Sequence, residues 1–159
     1  MAIYARQSAL SISVDFDMKN ADIMIKRKLF RGNCIMVKIL VVDDSPIMRN
    51  IVKNTFSDMS VPFMCLEAGN GKQALRLLES NDVSIVFLDW NMPEMDGLDF
   101  LKLVRAMPKY TDLPIIMVTS ERGKFSVIEA LQSGATDYIV KPVKESVFRE
   151  KVSEILLLG

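Results

Sequence analysis

Asp89 closes the apolar run Val83-Ser84-Ile85-Val86-Phe87-Leu88 and is followed by Trp90-Asn91-Met92-Pro93. An upstream run, Val37 to Val42, ends in the acidic pair Asp43-Asp44. Downstream, Pro114-Ile115-Ile116-Met117-Val118 ends in Thr119-Ser120, and Tyr138-Ile139-Val140 ends in Lys141-Pro142. A carboxylate is a nucleophile that can form an aspartyl phosphate. The charge that develops on a transferred phosphoryl group is then neutralised by a cation, an ammonium and a hydroxyl donor. Three carboxylates crowded together raise one another's pKa. A divalent cation removes that penalty, and Mg2+ prefers hard oxygen ligands while keeping several waters. Asp43, Asp44 and Asp89 suit the metal; Thr119 and Lys141 suit the phosphoryl oxygens.

These residues are distant in sequence, so the fold must gather them. Short β-branched runs at 37–42, 62–67, 83–88, 114–118 and 136–140 alternate with amphipathic stretches. Runs so apolar suit parallel strands covered on both faces. Ser45-Pro46 is an N-cap with proline at the first helical position. The helix it opens carries Ile47, Met48, Ile51, Val52, Thr55 and Phe56 on one face. Asn70 caps a second helix with Ala74, Leu75 and Leu78 inward; a third starts near Gly97 and uses Leu98, Leu101 and Val104. A fourth uses Val127, Ile128 and Leu131 and stops at Gly134 in a left-handed turn. The fifth, from about Lys144, presents Val147, Phe148, Val152 and Ile155. Five such cycles read as a doubly wound α/β domain over residues 36–159. Its strands' carboxyl ends share one edge, where ligands bind in open α/β sheets.

Taken singly, each polar group has an ordinary reading. An Asp pair after a strand caps a helix, Thr119-Ser120 makes a turn, and Tyr138 is a half-buried strand aromatic. Their joint occurrence at successive strand ends is what points to a site. Gly69-Asn70-Gly71 lacks dinucleotide spacing and reads as a turn.

Composition narrows the field. The chain has 159 residues, half of them hydrophobic, which fits one domain with a real core. Net charge is zero, against a non-specific nucleic-acid binder. The charge is uneven: +3 over residues 1–35 and −3 over residues 36–159. There is no histidine, which removes histidine-based hydrolase chemistry, histidine zinc sites and an internal phosphohistidine. Cys34 and Cys65 form no metal pattern, and Cys65 reads as a small buried hydrophobe. No stretch reaches membrane-spanning length, and residues 9–14 are too short and polar for a secretory signal. A reducing cytoplasm is the expected compartment. Residues 1–35 fall outside the cycle as a weakly structured extension. Residues 21–30 (ADIMIKRKLF) read as a weak basic helix, and Met36 as an alternative translation start.

The segments VKILVVDDS, IVFLDWNMPEMDGLDFL, PIIMVTSE and GATDYIVKP together resemble the receiver domains of two-component response regulators, above all the single-domain chemotaxis type. The resemblance covers residues 37 to about 157. It implies the flavodoxin-like strand order 2-1-3-4-5 with five helices. It implies that Asp89 is the phosphoacceptor, with Thr119 and Lys141 completing the catalytic set. It implies Mg2+ as cofactor, held by Asp44 directly, by Asp43 largely through water, by Asp89 and by the backbone carbonyl of Asn91. Thr119 would be the switch hydroxyl and Tyr138 the aromatic that turns inward with it. The Lys141-Pro142 bond would be cis, and Ser120 would leave room for the phosphodonor. Asn91 and Glu121 would flank the hydrolytic water and tune dephosphorylation.

The implied partners are a sensor histidine kinase, a downstream target such as a flagellar motor switch, and a phosphatase; nucleic acid and membrane are not among them. Signalling would pass through the fourth helix, fifth strand and fifth helix. Val143 stands where the chemotaxis type usually has an aromatic, and Leu131 where it has a smaller residue. A phosphorelay intermediate therefore stays open beside the chemotaxis role. So does a phosphorylation-independent interaction module, although the intact acidic set, Thr119 and Lys141 argue against it. A haloacid-dehalogenase-type phosphatase needs an Asp two residues after the nucleophile, where Asn91 stands. A transcription factor is not expected, since no DNA-binding domain is read after the last helix.

Overall fold

The computed structural model describes residues 36–158. The readings of residues 1–35, including the basic helix and Cys34, lie outside the described residues. Five strands, β1 (Val37–Val42), β2 (Phe63–Ala68), β3 (Ile85–Leu88), β4 (Ile115–Thr119) and β5 (Asp137–Val140), form one parallel sheet in the order β2-β1-β3-β4-β5. Five helices alternate with them: α1 (Pro46–Ser57), α2 (Gly71–Ser80), α3 (Gly97–Arg105), α4 (Lys124–Gln132) and α5 (Glu145–Leu158). A single 3-10 turn, Pro108–Tyr110, leads into β4.

Local chemistry sets the helix starts. The Ser45 hydroxyl accepts from Met48 N ahead of Pro46, Asn70 accepts from Gln73 N, and Asp96 accepts from Asp99 N. Each satisfies a backbone donor that the first helical turn leaves free. Gly134, at φ 102°, makes the left-handed turn after α4.

Alternate strand residues face opposite sides of a sheet, and the core divides accordingly. One face carries Leu40, Val42, Val86, Leu88, Ile115 and Met117 against α2, α3 and Ala130 of α4. The other carries Ile39, Val41, Ile85, Phe87, Ile116 and Val118 against α1 and α5. On that second side Phe87 stacks on Phe148 at 5.0 Å between ring centroids, and Phe56 meets both rings edge-on. Aromatic pairs of this kind add to the area that they bury.

Three expectations need correction. The inward face of α1 is narrower than the spacing suggested: Val52 and Phe56 are buried, while Ile47 is 72% and Ile51 38% exposed. In α4 only Ala130 is buried, and Ile128 and Leu131 point outward at 48% and 46% exposure. Both helices lie over a sheet that already has enough apolar side chains to fill its face, so only one stripe of each is covered. Third, the covering of strands on both faces fails on β2, at the edge where the expected strand order puts it, since Met64 and Glu67 are exposed.

Phe148 is the largest fully buried side chain of α5. Phe148→Ala is expected to cost ~3–5 kcal/mol in urea unfolding, the range for a deleted core aromatic. A loss below about 0.5 kcal/mol, the range of surface changes, would contradict this packing.

Candidate functional site

Sheet register does the gathering. Val42 lies opposite Ala68 on β2 and Leu88 on β3. The ladder runs one residue further: Asp43 N donates to Ala68 O, and Asp89 N donates to Val42 O. Asp43 and Asp89 therefore leave neighbouring strands side by side. At the far end Lys141 N donates to Thr119 O, placing the lysine next to the threonine.

The side chains then converge. Lys141 Nζ lies 2.6 Å from Asp43 Oδ2 and 3.2 Å from Asp89 Oδ1. Ser45 N donates to the other Asp43 oxygen at 2.9 Å. Asp43, Asp44 and Asp89 each offer an oxygen within 4.8 Å of the others. Asp43 and Asp89 are buried, whereas Asp44 is exposed. Hard oxygen donors with one ligand facing water fit Mg2+, which keeps part of its hydration shell.

The charges are unbalanced. Burial pushes the Asp89 carboxyl above the ordinary carboxylate value, and Asp43 adds to this against the opposing pull of Lys141. For Lys141, burial acts downward, but Asp43 and Asp89 together outweigh it and leave the ammonium above the usual lysine value. Lys141 thus pairs with two of the three acids.

Around this centre, Thr119 is fully buried, and its hydroxyl accepts from Glu121 N at 3.3 Å. Tyr138 is turned inward at 8% exposure and donates to Glu121 O at 2.7 Å. Burial, then Glu121 and Asp89, push its pKa up to about 12, so the hydroxyl keeps its proton. Asn91 Nδ2 donates to Glu121 Oε1 at 3.2 Å, joining the β3–α3 and β4–α4 loops. The Lys141-Pro142 bond is cis. Cys65 is only half-buried, at odds with the fully buried reading, and burial pushes its thiol up to about 11.

Of the eight candidate site residues, seven lie at this strand edge or on its loops, and Tyr138, inside β5, reaches it through its hydroxyl. Three further residues were not assigned to the site from the sequence. Gly97 packs so tightly that an added Cβ would lie 2.0 Å from the Asp89 carbonyl oxygen. Arg122 donates to Lys141 O, and Arg49 donates to Asp43 O at 2.7 Å. Gly97 within MDG was the one visible signal; the arginines depend on tertiary contacts. Beside the carboxylates, Arg122, Val140, Pro142, Lys144 and Val147 line a groove of about 500 Å³ between β5 and α5.

Residues 39–153 match the response regulator receiver domain family, to which the chain belongs. It is a signalling domain of the chemotaxis-protein-like kind. It is 51% identical over 124 residues to a chemotaxis protein CheY homolog of Campylobacter jejuni, covering 77% of this chain and 95% of that protein. It is 48% identical over 121 residues to chemotaxis protein CheY1 of Helicobacter pylori, covering 76% and 97%. The structure of the chemotaxis response regulator CheY4 of Vibrio cholerae superposes with a TM-score of 0.69 at 31% identity, covering 76% and 99%. Among the described residues no helix is long and apolar enough to cross a membrane.

The raised Asp89 pKa has a stability consequence. Folding favours its protonated form, so its contribution is largest below the ordinary carboxylate range and declines as pH rises through the folded value. Asp89→Asn removes that decline. Without divalent ions at pH 7 the variant is expected to melt higher than wild type, with the gap narrowing toward acid pH. A variant that melts lower at pH 7 would show that attraction to Lys141 outweighs burial.

Proposed function

We propose that this chain is a phosphorylation-activated chemotaxis switch that takes a phosphoryl group from a sensor histidine kinase onto Asp89. The observation that carries the reading is the convergence of Asp43, Asp89 and Lys141 within hydrogen-bonding reach on one strand edge. In the proposed step an Asp89 oxygen attacks the phosphorus of a phosphohistidine in line. The P–N bond breaks and its electron pair stays with the imidazole. Lys141 moves from pairing two carboxylates to pairing the phosphoryl oxygens. Asp44, Asp89 and the Asn91 carbonyl, with Asp43 largely through water, would hold Mg2+. When bound, the ion neutralises charge on the transferred group. Because the receiving chain supplies these groups, small phosphodonors suffice without a kinase.

Activation follows from the new charge. Thr119 gives up its contact with Glu121 N and turns to the phosphoryl group. Tyr138 is held inward, which shifts the populations of the α4–β5–α5 face. A downstream protein preferring one population completes the signal, with a flagellar motor switch as the leading candidate. Exposed Phe125, Ile128 and Leu131 on α4 and the groove beside β5 support that face as the output. The cytoplasm is the proposed location. Asn91 and Glu121, already bridged, hold the hydrolytic water and keep the signal short; a phosphatase shortens it further.

With Mg2+ and a small acyl or amido phosphodonor, mass spectrometry is expected to find one added phosphate on wild type and none on Asp89→Asn. Equal labelling of both proteins would remove Asp89 from its role. In a second measurement, the phosphate on wild type is expected to be lost within seconds to minutes in Mg2+. Asn91→Lys should lengthen that lifetime several-fold; a wild-type lifetime of hours would contradict the tuning role.

A further inference from the structure

Glu67 and Arg49 lie beside the acidic group on elements that supply none of its carboxylates. Arg49 donates through Nη1 to the Asp43 carbonyl at 2.7 Å and through Nε to Glu67 Oε2 at 3.0 Å. Glu67 takes Lys53 Nζ on its other oxygen at 2.9 Å. Next to Glu67, the Ala68 carbonyl accepts from Asp43 N. Two adjacent residues of β2 therefore control both backbone polar groups of Asp43, one directly and one through Arg49. The Arg49 side chain is partly buried, 18% exposed. A buried cation needs a counter-ion. Here that counter-ion is Glu67. Hydrogen bonds from Lys53 and Arg49 lower the Glu67 pKa, so it stays ionised at neutral pH.

We propose that Glu67 is an electrostatic latch for the metal site: it holds the Arg49 charge on the Asp43 carbonyl and so keeps it from pairing with the carboxylates that Mg2+ needs. Glu67 is a positioning residue that acts through Arg49, and neither side chain touches the phosphoryl group or the ion. The proposal rests on the reading that the acidic group holds Mg2+.

The test is calorimetric titration of Mg2+ into the full chain, with melting curves as a check of folding. Glu67→Gln keeps size and shape but leaves the Arg49 charge uncompensated beside the site. Its Mg2+ Kd is expected to rise roughly three- to tenfold, as one unscreened charge near a partly buried site would require. The ratio to wild type should shrink as ionic strength rises. Combining Glu67→Gln with Arg49→Gln removes the stray charge and is expected to bring Kd back to within about twofold of wild type, a non-additive result. Lys53→Gln, which loses a contact to Glu67 but none to Asp43, should stay close to wild type. A double variant that binds more weakly than Glu67→Gln would show that the pair acts through packing and overturn the latch. Glu67→Gln binding as wild type does would also overturn it while leaving the metal reading intact. No Mg2+ binding by folded wild type would overturn both.

Discussion

One ammonium, held between two buried carboxylates, is the interaction around which this domain is arranged. Lys141 contacts Asp43 and Asp89 from a strand two places away from the nearer of them in the sheet. Nothing local in the sequence brings these groups together. Parallel strands with right-handed crossovers do so, because every strand then ends on the same edge. The ladder hydrogen bonds to Asp43, Asp89 and Lys141 set their positions along that edge. The cost is a cluster of like charges with too few cations. Burial at Asp89 makes it worse, and a site in that condition favours anything that supplies positive charge or neutralises an acid.

Much of this was legible in the sequence because the signals were strong and local. Apolar runs ending in Asp, Thr or Lys gave the strands and the edge. Ser45-Pro46 and Asn70 marked two helix starts that the structure places where expected. Strand ends moved by one or two residues: Thr119 belongs to β4 and is fully buried. Periodicity failed where helices have more apolar residues than the sheet can cover. Ile47, Ile51, Ile128 and Leu131 have helical spacing yet face outward. The arginines at the site were invisible for another reason. Arg49 and Arg122 each use their guanidinium on a backbone carbonyl distant in the chain or across a loop, and composition carries no trace of such contacts.

The two faces of the sheet differ in a way that bears on signalling. Under α1 and α5 the aromatic cluster of Phe56, Phe63, Phe87 and Phe148 packs tightly, giving one side a rigid floor. On the other side α4 is anchored by Ala130 alone among its own buried residues, and its start has no side-chain cap. Elements that move in switching come from the weakly held end of a structure. Tyr138, Thr119 and Asn91 all reach Glu121, on the loop that leads into α4. A change at Asp89 thus has a short path to the least anchored helix.

Trp90 offers the most direct test, since it is the sole tryptophan and adjoins Asp89. Its fluorescence would be followed while Mg2+ is added, and then a small phosphodonor, in wild type and Asp89→Asn. The expected result is a Mg2+-dependent step on donor addition in wild type that the variant lacks. An identical response in both proteins, or none in either, would contradict a phosphorylatable switch at Asp89.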